Sequence, residues 1–263
     1  MSDGTIVNEA HWNFFLPCGE AASLLILGAG EGDTCCRMAE HAGRVDALCF
    51  SEEQARTVKK RARAAELDNL QFHTHVPGER FELADGTVDA VIIERLMNYP
   101  ASYAGRTAPE QAALQLLKEA HRVLVPDGVL VMGAQNLLHH VLGLGRVIDS
   151  LRKSRPRTDA GLEADLAALG SDRRTFRQTL NGYRQSIQAA GFGSVRAFAP
   201  LPDGVDPHAV ISLDAPGPQQ FLFRQRTRRH STQTQVAARL GEFAAATGLL
   251  PRVAPFYYLV ASK

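Results

Sequence analysis

Apolar residues along this chain fall in short, nearly uninterrupted runs separated by longer amphipathic stretches. Leu24-Leu25-Ile26-Leu27, Arg44 to Phe50 and Val88 to Ile93 are the clearest runs. Runs of about four to eight residues bounded by turn formers suit strands buried on both faces of a parallel sheet. Leu70 to His75, Val129 to Met132, Ser194 to Phe198 and Phe256 to Ala261 supply four further strands. Between them the period changes to that of helices. Asp33-Thr34 opens a helix to about His41, and Ser51 is the N-cap of another that runs to about Leu67, with Glu52 and Glu53 at its positive end. Thr107-Ala108-Pro109-Glu110 starts a third, with Leu114, Leu117, Ala120 and Leu124 on one face and Pro126-Asp127-Gly128 as its stop. Thr175 to Ala190, closed by Gly191, and Thr232 to Thr247 are also helical in pattern. Pro77 to Gly86 reads as a loop.

Strands alternating with helices predict an α/β fold, a doubly wound and mostly parallel seven-stranded Rossmann-like sheet. From Leu137 to about Ser171 the alternation gives way to amphipathic helices around Arg152-Lys153-Ser154-Arg155-Pro156-Arg157. This predicts a single domain over 1–263 with a helical insertion or cap at 137–171 after strand five. The aromatic cluster His11-Trp12-Asn13-Phe14-Phe15-Leu16-Pro17 precedes strand one. It is either a lid over the first turn or an edge of the core.

Composition narrows the class. The chain has 263 residues, 45% hydrophobic and 22% charged, with a formal net charge of +1. That is a globular composition with material for a sizeable core, and its balance argues against wholesale affinity for nucleic acid or membrane. The N-terminal region lacks an apolar run of signal-peptide length, and no run is long enough to span a bilayer, so a cytoplasmic location is expected. Cys18, Cys35, Cys36 and Cys49 have no metal-ligand spacing; no metal site is expected, and the thiols read as reduced.

The candidate chemistry starts at Leu27-Gly28-Ala29-Gly30-Glu31-Gly32. Glycines at alternate positions after a buried strand allow a sharp turn and a close backbone approach by a ligand, with the free N–H groups of the next helix aimed at the same place. Such turns sit at the carboxyl edge of a doubly wound sheet, where ligands bind. A dinucleotide site is the weaker alternative, because the third glycine of its fingerprint falls where this chain has Asp33.

Further segments occur in a fixed order: Asp85-Gly86-Thr87-Val88-Asp89-Ala90-Val91, then Leu117 to Gly128 containing Arg122-Val123-Leu124-Val125-Pro126-Asp127-Gly128, then Ile187-Gln188-Ala189-Ala190-Gly191-Phe192. With the glycine turn, they make the chain resemble a class I S-adenosylmethionine-dependent methyltransferase over most of its length. Trp12, Gln135-Asn136 and Pro202-Asp203 with Pro207 resemble a bacterial subgroup associated with surface-polysaccharide and other glycan pathways. The resemblance implies S-adenosylmethionine as cofactor, with contacts from Gly28, Ala29, Gly30, Gly32, Cys49, Phe50, Ser51, His75, Val76 and Glu94. It also implies biosynthetic methyl transfer to an oxygen or nitrogen of a small, glycan-like or secondary metabolite. Glu94, Tyr99, His139 and His140, just past strands four and five, are the candidate bases for a hydroxyl acceptor.

The chain departs from that family at three positions where an acid is usual. Ile26 stands two residues before the first glycine, Cys49 ends strand two, and the region after strand three reads His75-Val76-Pro77. Ser51, Glu52, His75 and Glu94 are positioned to compensate. A second reading therefore stands beside the first: a methyltransferase-fold protein that has lost normal cofactor binding and serves as a partner subunit, or catalyses another reaction. Arg152 to Arg157 and Arg224 to Arg229 raise a nucleic-acid substrate, but Glu94-Arg95-Leu96-Met97-Asn98-Tyr99-Pro100 lacks the base-methylation signature. A solvated basic face or a phosphorylated substrate suits them better. The expected partners are a small-molecule acceptor and another subunit, in a homo- or hetero-oligomer. Phe221, Leu222, Phe223, Phe243, Phe256, Tyr257 and Tyr258 are candidates to line an acceptor pocket or the core.

Overall fold

The computed structural model describes residues 15–16, 19–76, 79–93, 96–98, 108–141, 176–201, 209–215 and 242–263. The first half runs β1 (Gly19–Leu27), α1 (Asp33–Ala39), β2 (Ala42–Cys49), α2 (Glu52–Ala64), β3 (Leu70–Thr74) and β4 (Val88–Ile93). A 3-10 turn (Leu96–Asn98), α3 (Pro109–Val123), β5 (Leu124–Gln135) and α4 (Leu137–Val141) follow. The second half contributes α5 (Leu180–Ala189), β6 (Val195–Leu201), β7 (Ala209–Ser212), α6 (Leu250–Val253) and β8 (Phe256–Ser262).

The eight strands form one sheet in the order β3-β2-β1-β4-β5-β8-β6-β7. β1 to β5 are mutually parallel, whereas β8 runs antiparallel to both β5 and β6, and β7 antiparallel to β6. Because β1 lies between β2 and β4, the chain reverses its direction of winding there. The carboxyl end of β1 is thus the switch point of the sheet, the place where an open α/β sheet leaves a crevice for a ligand.

The apolar runs of the sequence explain the layering. Leu25 and Leu27 face a core built with Leu116 and Leu117 of α3 and Tyr183 and Ile187 of α5. Leu24 and Ile26 face the opposite core, with Cys35 and Met38 of α1 and Val58 and Ala62 of α2. Alternate residues of one strand must fill two different cores, so every position of Leu24 to Leu27 is apolar.

Several boundaries differ from the sequence-based expectation. Among the described residues the sheet has eight strands, the extra one being β7, whose four residues make too short a run to stand out in the sequence. β5 begins at Leu124, which pairs with Val88 instead of extending the preceding helix. α5 begins at Leu180, where the Thr179 side chain accepts from the Gly182 N–H as N-cap, and residues 176–179, expected inside the helix, precede it. Phe15 packs on Phe198 (4.8 Å between ring centroids) and Tyr258 (6.1 Å), and Leu16 is buried, which makes these two residues an edge of the core. His11 to Phe14, the basic runs 152–157 and 224–229, and the insertion beyond Val141 lie outside the described residues.

Candidate functional site

The loop after β1 is a turn only glycine adopts comfortably. Gly28, Gly30 and Gly32 all have positive φ, at 82°, 54° and 97°. The Gly32 N–H closes the turn on the Ala29 carbonyl at 2.8 Å. Gly32 has a second duty, since a Cβ there would lie 3.0 Å from Val58 Cγ1. The third glycine therefore lets α2 approach, while the first two shape the backbone at the switch point.

α2 backs this turn along one face. Gln54, almost fully buried, donates from Nε2 to the Gly30 carbonyl at 3.1 Å and accepts at Oε1 from the Phe50 N–H at 2.7 Å. Arg61, two turns further along, pairs with Glu31 at 2.9 Å and also with Asp33. Ser51 caps the helix by accepting from the Gln54 N–H, as its sequence position predicts. Gln54 was missed from the sequence, although Ser-x-x-Gln before an amphipathic run is a capping-box signature.

At the end of β2, Cys49 is fully buried and Phe50 sits in the core with Leu27 and Leu48. The one acid of β2 is Asp46, earlier in the strand. It is buried and hydrogen-bonded to His73 Nε2 at 2.6 Å and to Arg44 Nη2 at 2.9 Å. Burial alone would raise its carboxyl, but these two partners hold it below the usual range. Asp46 thus braces β2 against β3 and is taken up by that role.

His75 follows β3, its N–H donating to the Cys49 carbonyl at 2.7 Å and its ring edge-on to Phe81 at 5.2 Å. Burial pushes its pKa below the ordinary value, against the pull of Glu79, Glu82 and Glu119. Val76 is 56% exposed, an apolar side chain in the open at the carboxyl end of β3. Beside it the Thr74 hydroxyl donates to Glu52 at 3.0 Å.

The remaining motif residues are scaffolding for this edge. Arg122 donates to Glu119 (2.8 Å), to the Phe81 and Leu83 carbonyls (3.1 and 2.8 Å) and to Asp85 (2.7 Å). The Glu119 carboxylate in turn accepts from the Phe81 N–H at 3.0 Å. Together they fix the loop that carries Phe81 against His75. Asp89 accepts from both the backbone N–H and the hydroxyl of Ser23, at 2.7 and 2.8 Å, and so ties β4 to β1.

The carboxyl end of β5 is organised by Asn136, which is 1% exposed. Its Nδ2 donates to the Arg252 and Ala254 carbonyls, both at 2.8 Å, and its Oδ1 accepts from the Leu138 N–H at 2.9 Å. His139 follows on α4, with Nδ1 2.8 Å from the Val253 carbonyl. A carbonyl can only accept, so Nδ1 carries a proton, and in the neutral ring the lone pair is on Nε2. Phe256, Tyr257 and Tyr258, candidates for pocket or core, are core, and burial raises the Tyr257 and Tyr183 hydroxyls far above their ordinary pKa. Phe243 is exposed at 62%. Glu94, Tyr99 and Phe221 to Phe223 lie outside the described residues, as does the His140 side chain.

Would S-adenosylmethionine fit this edge? The backbone does, with a left-handed glycine turn at the switch point. The donor set is suited to the cofactor's neutral hydroxyls and ring, with Ser51, Glu52, Thr74 and His75 at the ends of β2 and β3. Carboxylates at the three usual acid positions are absent: Ile26 is fully enclosed in the core under α1 and α2, Cys49 is buried, and Val76 is apolar. Among the described residues no cluster of side chains could hold a metal ion, and no helix is long and apolar enough to cross a membrane.

Comparison with known proteins agrees with the geometry. Residues 25–132 match the family model for a methyltransferase domain. The chain is similar in fold to an S-adenosylmethionine-dependent methyltransferase from Thermotoga maritima (14% identity, 98% of this chain and 88% of that one, TM-score 0.53). It is similar also to Haemonchus contortus phosphoethanolamine N-methyltransferase 2, solved with phosphomonomethylethanolamine and S-adenosylhomocysteine (11% identity, 97% and 51% covered, TM-score 0.54). A third likeness is to a Haloferax volcanii complex of the Trm112 methyltransferase activator with a protein assigned as a methyltransferase (16% identity, 97% and 90% covered, TM-score 0.52). No curated protein matches the sequence. The glycine turn at the switch point of β1 thus lies inside residues 25–132, the segment that matches the methyltransferase domain, and the chain shares the fold of these methyltransferase structures.

Proposed function

We propose that this protein binds S-adenosylmethionine over the glycine turn and transfers its methyl group to an oxygen or nitrogen of a small acceptor. The observation that carries the reading is the left-handed turn Gly28 to Gly32 at the carboxyl end of β1, inside the segment that matches the methyltransferase domain. Gly28, Ala29, Gly30 and Gly32 form one wall, and Phe50, Ser51, His75 and Val76 the side beyond β2 and β3. Bound there, the cofactor supplies an electrophilic methyl group, so the chain's own work is alignment and exclusion of water.

His139 is the base this reading favours. Its Nδ1 proton is held by the Val253 carbonyl, which orients the ring and leaves Nε2 to take a proton from an acceptor hydroxyl. Glu94, Tyr99 and His140 remain candidates by sequence position alone. The acceptor is a small metabolite, glycan-like by the sequence resemblance, and the Haemonchus neighbour, solved with a phosphorylated amine, supports a small polar acceptor on this fold. A cytoplasmic place and a single domain over 1–263 with an insertion at 137–171 are parts of the same reading.

The second reading, a methyltransferase fold that no longer binds the cofactor, is favoured by Ile26, Cys49 and Val76 standing where acids are usual. Each lost charge-assisted hydrogen bond weakens binding by about 1.5–3 kcal/mol. Isothermal titration with S-adenosylhomocysteine decides between them. Stoichiometric binding at micromolar concentration is expected, and no heat at millimolar ligand would overturn methyl transfer in favour of the partner-subunit reading.

A further inference from the structure

We infer that Gln54 is the positioning residue of the cofactor site, a buried amide that holds the two lips of the cleft at a fixed separation. One lip is the glycine turn, reached through the Gly30 carbonyl at 3.1 Å; the other is the backbone just past β2, reached through the Phe50 N–H at 2.7 Å. No backbone hydrogen bond of the sheet joins these two points, because both lie beyond the last paired residues, Leu27 and Leu48. A primary amide, with its donor and acceptor on separate atoms, donates to the first and accepts from the second at once.

The helix that carries Gln54 is built for this. Gln54, Val58 and Arg61 recur at i, i+4 and i+7, one face of α2. Gln54 reaches Gly30, Val58 packs where a Cβ on Gly32 would stand, and Arg61 pairs with Glu31 and Asp33. Three successive residues on one helix face thus seat one turn at three points. A site whose acid positions hold Ile26, Cys49 and Val76 has few side chains with which to grip a nucleoside. Its affinity then depends on backbone groups held in place beforehand, since a preorganised site loses less free energy to ordering on binding. Gln54 supplies that order where the carboxylates are missing. This role rests on the cofactor reading above.

The test uses the full chain with Gln54→Met, which keeps length and volume but removes both bonds, and Gln54→Glu, which keeps only the acceptor for Phe50. S-adenosylhomocysteine affinity by calorimetry, thermal unfolding and amide hydrogen exchange are measured on each. Gln54→Met is expected to weaken binding at least tenfold, well below its unfolding temperature, and to speed exchange at Phe50 and through residues 28–33. Gln54→Glu is expected to weaken binding with Phe50 still protected. A fall in unfolding temperature with unchanged affinity in the folded protein would reduce Gln54 to a stability role and overturn the inference. Should the unmodified protein bind no S-adenosylhomocysteine, the cofactor reading fails by itself; exchange in Gln54→Met then judges the clamp, and unchanged exchange at Phe50 and 28–33 overturns it.

Discussion

Asn136→Ala is the substitution whose cost can be read most directly from this structure. The side chain makes three hydrogen bonds, to the Arg252 and Ala254 carbonyls and from the Leu138 N–H, and it is 1% exposed. Each neutral hydrogen bond contributes about 1 kcal/mol, and a buried group left without its partner costs about 1–3 kcal/mol. Alanine removes all three bonds and strands two carbonyls and one N–H, at a site where the Asn136 N–H to Pro255 carbonyl bond (3.1 Å) resists collapse. A loss of about 3–4 kcal/mol is expected, which for a domain of this size lowers the unfolding temperature by roughly 10 °C. Urea titration followed by circular dichroism gives the free energy, with the slope checked against the unmodified chain. Because the same contact seats Val253 against His139, turnover should fall further than the loss of folded protein explains. Asn136→Asp should cost more, since both Nδ2 acceptors would then face an oxygen. A loss below about 1 kcal/mol for the alanine variant would refute the reasoning, because it would mean water or a shifted backbone satisfies these groups.

Four other outcomes follow from the site. His139→Ala should lower kcat toward a hydroxyl acceptor by about 100-fold or more, the usual scale of general-base catalysis, while leaving S-adenosylhomocysteine affinity unchanged in calorimetry; an unchanged kcat would move the base elsewhere. Burial holds His75 neutral, with its folded pKa below the ordinary 6.5, so the unfolded chain binds the proton first as pH falls. Its stability contribution is therefore complete above about pH 6.5 and is lost from there down to the folded pKa; the pH dependence of urea midpoints should flatten in His75→Gln, and equal slopes would contradict the assignment. Gly30→Val should abolish S-adenosylhomocysteine binding without unfolding the protein, since φ there is 54°; retained affinity would place the site away from the turn. Arg122→Met should loosen the 79–87 loop and lower stability by about 2–3 kcal/mol, read as faster amide exchange at Phe81 and Thr87; protection equal to the unmodified chain would show that Glu119 holds the loop alone.

The family motifs proved to be mainly scaffold. Asp89 and Arg122 sit in the segments that make the sequence recognisable, yet their side chains bind Ser23 and the 79–87 loop. Such residues are legible because they recur at fixed spacings along the chain. The tertiary partners of Gln54 and Asn136, the Gly30 carbonyl and the Arg252 and Ala254 carbonyls, leave no such spacing.

The order of strands and helices, the glycine turn and the missing acids were determined by the sequence alone. Burial on two faces forces continuous apolar runs, and left-handed backbone forces glycine, so both leave marks that local reading recovers. What only the tertiary structure decided is which polar side chains meet. Gln54 reaches Gly30 across 24 positions, His139 meets Val253 across 114, and Asp46 takes His73 as its partner and so is spent on bracing β2 and β3. Those pairings depend on distances between elements far apart in the chain, set by packing of the two cores and not by any local preference. The glycine turn could be found by its residues; what holds it in shape could be found only by its neighbours.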